Sequence, residues 1–277
     1  MSPARSGSLA ARLNRGLAWI LLVFLVAPAL IAIPVSLTAD NYLSMPWNGL
    51  SLKYYYEIFT SPNWVSSFLQ SALIGLISAA SATTLGTFAA VGLWRLSSSA
   101  GETLRSLLFL PLLLPLVVPP IISAMAFYRL MVPLGLIDTY AGLILAHTVL
   151  AAPLVVITVS ASLAGFDRRL EQASRNLGAT SGQTLRRVIL PAIRPGVLSG
   201  AVFAFIASWD EIVVTLFLSK FSVYTLPRRM WNGIRENTDP AVAAAAVVLL
   251  AVTLGAFLIW ALAQRRGRSM TSSPRQS

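Results

Sequence analysis

Apolar runs long enough to cross hydrocarbon recur six times along the chain, and no other feature restricts its fold as much. They run from Leu17 to Leu37, Trp64 to Trp94, Leu107 to Leu130, Tyr140 to Leu163, Val197 to Leu218 and Pro240 to Ala263. A bilayer span needs about 20 apolar residues in a helix. A soluble domain also needs a polar skin. Only 11% of the 277 residues are charged against 56% apolar, so that skin is missing. The expected fold is an all-α integral membrane protein with six transmembrane helices. A cleaved leader is the alternative for the first run, but the run exceeds an ordinary leader core and no clear small-residue cleavage site follows it.

The net charge of +11 could suit a nucleic-acid binder. The basic residues, however, lie in the connections between apolar runs and form no stripe with interleaved aromatics, so no nucleic-acid partner is expected. Six spans put both termini on one side. That side carries Arg5, Arg12, Arg15, Arg95, Arg105, Arg168, Arg169, Arg175, Arg186, Arg187, Arg194, Arg265, Arg266, Arg268 and Arg275. The other carries Lys53, Arg129, Lys220, Arg228, Arg229 and Arg235, and fifteen against six predicts that the first side is cytoplasmic. The resulting domain plan is a cytoplasmic N-terminus over 1–16, a six-span transmembrane domain over 17–263 and a basic cytoplasmic tail over 264–277.

Several chemistries are excluded. There is no G-x-x-x-x-G-K-[ST] phosphate loop, and the only lysines are Lys53 and Lys220. Cysteine is absent and His147 is the one histidine, which leaves no metal site, catalytic residue or cofactor to propose. His147 reads as a packed, hydrogen-bonded residue within its span. Ser71, Gly75, Ala79 and Ala82 form a small-residue stripe for close helix packing. Pro111, Pro115, Pro119 and Pro120 predict a kink in the third run. Tyr54, Tyr55, Tyr56 and Phe59 read as an interfacial aromatic cluster.

The long connection over 165–195 is structured. Asp167 is placed to cap a helix starting at Arg168. Leu170, Ala173, Ser174 and Leu177 share one face. Gly178 can end the helix in a left-handed turn. A second short helix fits Ser181 to Ile189, stopped by Pro191. The alternative is a loop lying on the headgroups, held by its arginines. Within this knob, Glu171, Ala173, Gly178 and Ala179, followed by Leu185, Leu190 and Pro191, resemble the E-A-A-x-x-x-G-A loop of binding-protein-dependent ABC importer permeases. Gln172 replaces the first Ala of that pattern, and Leu185 stands where Phe is common. The resemblance implies a coupling helix that docks on a separate ATPase, with Glu171 offering its carboxylate to a partner group there. Its partners would be two ATPase subunits, a second permease and a periplasmic solute-binding protein, all at the inner membrane.

In the fifth run, Ser208, Trp209, Asp210 and Glu211 put two carboxylates in an apolar span, at about 2.5–3.5 kcal/mol each on insertion scales. Read as one continuous helix, the run sets Gly200, Ala204, Ser208, Glu211 and Thr215 on a polar stripe bordering the translocation path or the partner permease. Phe203, Ala207, Asp210 and Val214 form the next stripe. The alternative is a structural charge pair with another span. An acidic path suits a small cationic solute. Ser208-Trp209-Asp210-Glu211, with Thr225-Leu226-Pro227 and then Arg228 and Arg229, resembles the C-terminal-type permeases of the spermidine/putrescine branch. Amino-acid-like solutes are the alternative within the family. A stand-alone secondary transporter or channel is the alternative outside it.

Overall fold

The computed structural model describes residues 6–96, 102–237 and 239–269; the side chains of 6–10, 102, 105, 236–237 and 263–269 are not described. Arg5, Arg275 and parts of the two terminal segments named above therefore lie outside the described residues. The described chain is almost wholly helical. It divides into two compact units, Met1–Trp64 with Met230–Leu250 and Val65–Arg229 with Ala251–Ser277.

The smaller unit contains α1 (Ser6–Ser36) and α2 (Lys53–Thr60). The link between them is closed by an isolated bridge from Thr38 to Leu50. The aromatic cluster of α2 is divided. Tyr54 is buried with its hydroxyl on the Asp40 carbonyl at 2.5 Å, and Tyr55 meets Ser36 Oγ at 2.7 Å. Tyr56 and Phe59 point outward, so only these two fit the interfacial reading.

The larger unit is built on α3 (Pro62–Arg95), α6 (Tyr140–Ala164) and α9 (Leu190–Trp209). Close backbone approach is what packs them, because lipid offers no hydrophobic drive between helices. A Cβ on Gly196 would lie 2.1 Å from Ser162 Oγ, and one on Gly200 would lie 2.7 Å from Thr158 Oγ1. Glycine at both positions is what lets α9 meet α6. Gly200 and Ala204 thus face α6 of the same chain, not a path or a partner as the helical stripe suggests. The small-residue stripe of α3 is buried as expected, with Ser78 donating to the Ile144 carbonyl at 3.3 Å.

The third run is not a straight span. It forms α4 (Glu102–Val117) and α5 (Pro120–Met131), bent by 104°. The break falls at Val118–Pro119, where consecutive prolines remove ladder donors. Among the described residues, five other helices are long and apolar enough to span a bilayer. Connectivity shows that the bent pair makes one crossing. Trp94 and Arg95 end α3 beside Phe166 and Glu171, just beyond the end of α6. The chain between α3 and α6 leaves this face and must reach the opposite one. On that opposite face Gln70 and Ser71, near the start of α3, accept the Tyr224 and Leu226 amides at 2.7 Å each.

The fifth run differs as well. Pro191 does not stop the loop helix. α8 (Ser181–Thr184) passes through a π-turn (Leu185–Ile189) directly into α9. The Leu190 amide bonds back to the Leu185 carbonyl, so the register slips by one residue just before the residue that lacks an N–H. At the far end the span stops at Trp209 and resumes as α10 (Val213–Leu218), not as one helix to Leu218. α11 (Leu226–Asn232) follows, and α12 (Ala241–Ser269) runs back antiparallel to α9, with Trp260 donating to Ser199 Oγ at 2.8 Å and Phe257 against Phe203.

One carboxylate fastens the second face. Asp138, at φ 59°, accepts the backbone amides of Lys220, Phe221, Ser222 and Val223 at 2.7–3.3 Å. Its own amide donates to the Leu218 carbonyl at 2.7 Å. Partial burial acts to raise the pKa of this carboxyl, but the four amide bonds hold it well below the ordinary carboxylate range. A depressed folded-state pKa adds stability that is fully present above the unfolded value and is lost as pH falls through the folded one. Asp138→Asn keeps a residue that tolerates positive φ and removes the charge. It should lower the melting temperature by about 3–6 °C. Scanning calorimetry should find that deficit constant between pH 8 and pH 5; a deficit that shrinks across this range would contradict the assignment.

Candidate functional site

Two groups of residues at opposite ends of the α8–α9 rod carry the features singled out in the sequence. The first is the knob. α7 (Arg168–Asn176) starts where Asp167 accepts the Arg169 amide at 2.9 Å, as its capping role requires. It ends with Gly178 at φ +82°, where the Gly178 and Ala179 amides return to the Arg175 and Ser174 carbonyls at 2.9 and 3.2 Å. Thr180 and Gln183 then form a reciprocal capping box that starts α8. Ser174 meets Thr184 at 3.0 Å and closes α7 onto α8.

The knob is held by the end of α3. Arg95 pairs with Glu171 at 3.1 Å. The Arg168 guanidinium donates to the Trp94 carbonyl at 2.8 Å and lies 4.7 Å from the Trp94 ring centre. Phe166 meets the same ring edge-on. Glu171 is therefore occupied within its own chain, where the sequence suggested a carboxylate offered to the ATPase. Leu185 and Leu190 also pack inward, against the core around Ile189 and Ile193. The surface left outward contains Leu170 and Leu177, 52% and 88% exposed, with Ala173, Gly178 and Pro191 beside or beyond them.

The second group is the elbow between α9 and α10. Nothing in Ala207–Thr215 is a helix breaker, so the break comes from side-chain contacts. Glu211 Oε1 accepts the Val214 amide at 2.7 Å and caps α10. The Thr215 hydroxyl donates to the Glu211 carbonyl at 3.2 Å. His147, buried on α6, lies 2.7 Å from Ser208 Oγ through Nδ1 and 3.3 Å from Thr215 Oγ1 through Nε2. Its reading as a packed, hydrogen-bonded residue holds.

The residues grouped as a path thus separate. Ser208 and Thr215 are buried against His147, and Trp209 is 1% exposed, stacked on Phe205 and edge-on to Phe68. Glu211 is engaged as a cap. Asp210 alone of the five is exposed, at the C-terminal end of α9, where the helix dipole is negative. Sequence reasoning missed both the inward role of Ser208 and Thr215 and the function of Asp138. The spacing of His147 from Ser208 carries no signal, because their meeting depends on how α6 packs on α9. Among the described residues, no three His, Asp or Glu side chains converge where a metal ion could sit.

The comparisons with known proteins agree with this architecture. Residues 82–268 match the family model of the binding-protein-dependent transport system inner membrane component. The spermidine/putrescine transport system permease protein PotC of Haemophilus influenzae is 28% identical over 92% of this chain and 97% of its own length. The putrescine transport system permease protein PotI of Escherichia coli is 30% identical over 87% of each chain. A bacterial ABC transporter involved in alginate import superposes with a TM-score of 0.70 at 14% identity, over 96% of this chain and 99% of that one. This last likeness is one of fold.

The geometry of Gly178 yields a test. A Cβ there meets nothing within 4 Å, so substitution is penalised by the backbone and not by crowding. ATP-driven uptake by the assembled transporter should fall in the order Gly178, Gly178→Asn, Gly178→Ala, Gly178→Val, with membrane insertion unchanged. Equal uptake in Gly178→Val and the parent would remove this turn from the mechanism.

Proposed function

The chain belongs to the binding-protein-dependent transport system inner membrane components, and on that premise we propose that it forms half of a cation-conducting path and couples it to an ATPase through the α7 knob. It is a multi-pass inner-membrane permease subunit of an ABC importer, a transport component and not an enzyme. The proposed assembly adds a second permease, two ATPase subunits and a periplasmic solute-binding protein. The exposed Leu170 and Leu177 supply an apolar face for a groove on the ATPase. The Arg95–Glu171 pair and the Trp94–Arg168 contact carry force from that groove into α3.

The proposed solute is a polyamine such as putrescine or spermidine. The observation that carries this reading is Asp210, an exposed carboxylate at the negative end of a helix that stops inside an apolar span. The names of the similar permeases point the same way. In this reading Asp210 meets the ammonium group, while Glu211 holds the elbow's shape. The residues Ser208, Trp209 and Thr215 support the elbow from behind.

Orientation follows from charge. The knob face carries Arg168, Arg169, Arg175, Arg186, Arg187 and Arg194, and is proposed to be cytoplasmic with both termini. With no native cysteine in the chain, an impermeant thiol reagent on intact cells should label Ser222→Cys and spare Ser181→Cys; the opposite pattern would reverse the orientation.

The division of labour at the elbow separates the two carboxylates. Asp210→Asn should cut putrescine uptake by reconstituted importer at least tenfold, since a charge-assisted hydrogen bond is lost while Glu211 stays engaged as a cap. Glu211→Gln keeps an oxygen to cap Val214 and should retain most of the uptake. Both variants should copurify with the ATPase. Wild-type uptake by Asp210→Asn would sink the cationic path; loss of assembly instead would assign Asp210 to a charge pair with another subunit.

A further inference from the structure

The elbow has no sequence reason to exist. Ala207 to Thr215 contains neither proline nor glycine, and its residues could continue α9 as one helix through Asp210 into α10. Such a continuous helix would satisfy every backbone group within itself, which a bilayer favours. Something must hold the broken form. Glu211 caps α10 from within the segment, but it cannot fix the direction in which α9 and α10 diverge. Packing of Val214 and Leu218 in one core with Ala124 and Met131 of α5 holds α10; what ties the two sides of the break to each other is a group bonded to both.

His147 is such a group. It sits on α6 at 2% exposure, and its two ring nitrogens reach opposite sides of the break, Ser208 on α9 and Thr215 on α10. The hydrogen-bond inventory defines the polarity of this clasp. The single Thr215 hydroxyl proton goes to the Glu211 carbonyl, so Thr215 Oγ1 is left to accept. His147 Nε2 must then carry the proton and donate. The neutral ring consequently offers Nδ1 as acceptor to the Ser208 hydroxyl. One neutral tautomer satisfies both contacts of the relay that runs from the Ser208 hydroxyl through His147 and Thr215 to the Glu211 carbonyl. α6 is itself fixed against α9 by the close approach at Gly196 and Gly200, so the ring is anchored on a rigid support.

We propose that His147 is a positioning residue of the transport path: it clasps α9 and α10 in their broken arrangement and so keeps the Asp210 carboxylate at an open elbow. This rests on the reading that Asp210 meets the solute, but concerns a different residue and a different observable. His147 does not touch the solute. Without its two bonds the segment can relax toward a continuous helix, which rotates Asp210 away from its position beyond the end of α9. The variant His147→Gln can restore the clasp, because a side-chain amide offers one acceptor and one donor on adjacent positions. His147→Leu fills similar space and offers neither.

The test uses the assembled importer in proteoliposomes, with partner subunits free of cysteine. Asp210→Cys serves as the reporter, and the probe is a water-soluble cationic thiosulfonate. With His147 present the reporter should react readily. His147→Leu should slow that reaction about tenfold or more, and His147→Gln should recover most of the rate. In chains that retain Asp210, His147→Leu should lower the maximal uptake rate and leave the half-saturating concentration of loaded binding protein unchanged, because docking does not involve the clasp. Equal labelling rates with and without the His147→Leu substitution in assembled complexes would overturn the proposal. If His147→Leu does not assemble, Ser208→Ala and Thr215→Val each remove one of the two bonds, and unchanged labelling in both overturns it equally. Wild-type uptake by Asp210→Asn would instead strike the solute reading and leave the labelling result standing.

Discussion

A backbone amide or carbonyl in hydrocarbon must find a partner inside the protein, and the arrangement of this permease depends on how it meets that demand where its helices break. Each interruption has a distinct solution. At Pro191 the π-turn shifts the hydrogen-bond register just before the residue that has no N–H to donate. At Pro119 the chain turns by 104° between two shorter helices. At Asp210 the backbone is released by no proline at all; the Glu211 and Thr215 side chains supply backbone partners, and His147 bonds the Ser208 and Thr215 hydroxyls across the break.

Two of these solutions, at Pro191 and at Asp210, lie on one mechanical unit. α8, the π-turn and α9 form a continuous rod from the knob to the elbow. The rod is pressed against α6 where Gly196 and Gly200 allow contact. α6 carries His147 near one end and leads into Phe166 and α7 at the other. A displacement imposed on α7 therefore reaches α9 directly along the chain and α3 through Arg95 and Trp94. Packed interiors respond to such displacement by switching between discrete arrangements more readily than by bending. The elbow, which has a continuous-helix alternative, is the element suited to switching.

Much of this could be read in the sequence because bilayer physics writes long, simple signals. The apolar runs, the charge asymmetry, the Asp167 cap and the Gly178 turn are local or compositional; the first, second, fourth and sixth runs form unbroken helices, and the cap and the turn fall as expected. The direction of packing was not legible. Gly200, Ala204 and Ser208 have the spacing of a polar stripe, but whether a stripe faces a path, a partner or a neighbouring helix depends on tertiary docking. Glu171 looked available for another subunit because Arg95 lies far away in sequence. The helix break at Asp210 was invisible for a related reason, since Glu211 and Thr215 carry no breaker signature and His147, which bonds both sides of the break, comes from another helix. Asp138 was overlooked because its four partners are backbone amides, which have no sequence signature.

The central claim is that Asp210 presents an exposed carboxylate to a cationic solute at the interrupted span. The most direct measurement is the structure, by electron cryomicroscopy, of the complete importer arrested with putrescine inside the membrane. The account predicts a solute ammonium nitrogen within about 3 Å of the Asp210 carboxylate, with His147 still bridging Ser208 and Thr215. An Asp210 carboxylate paired instead with a basic residue of the second permease, with the solute bound elsewhere, would contradict it.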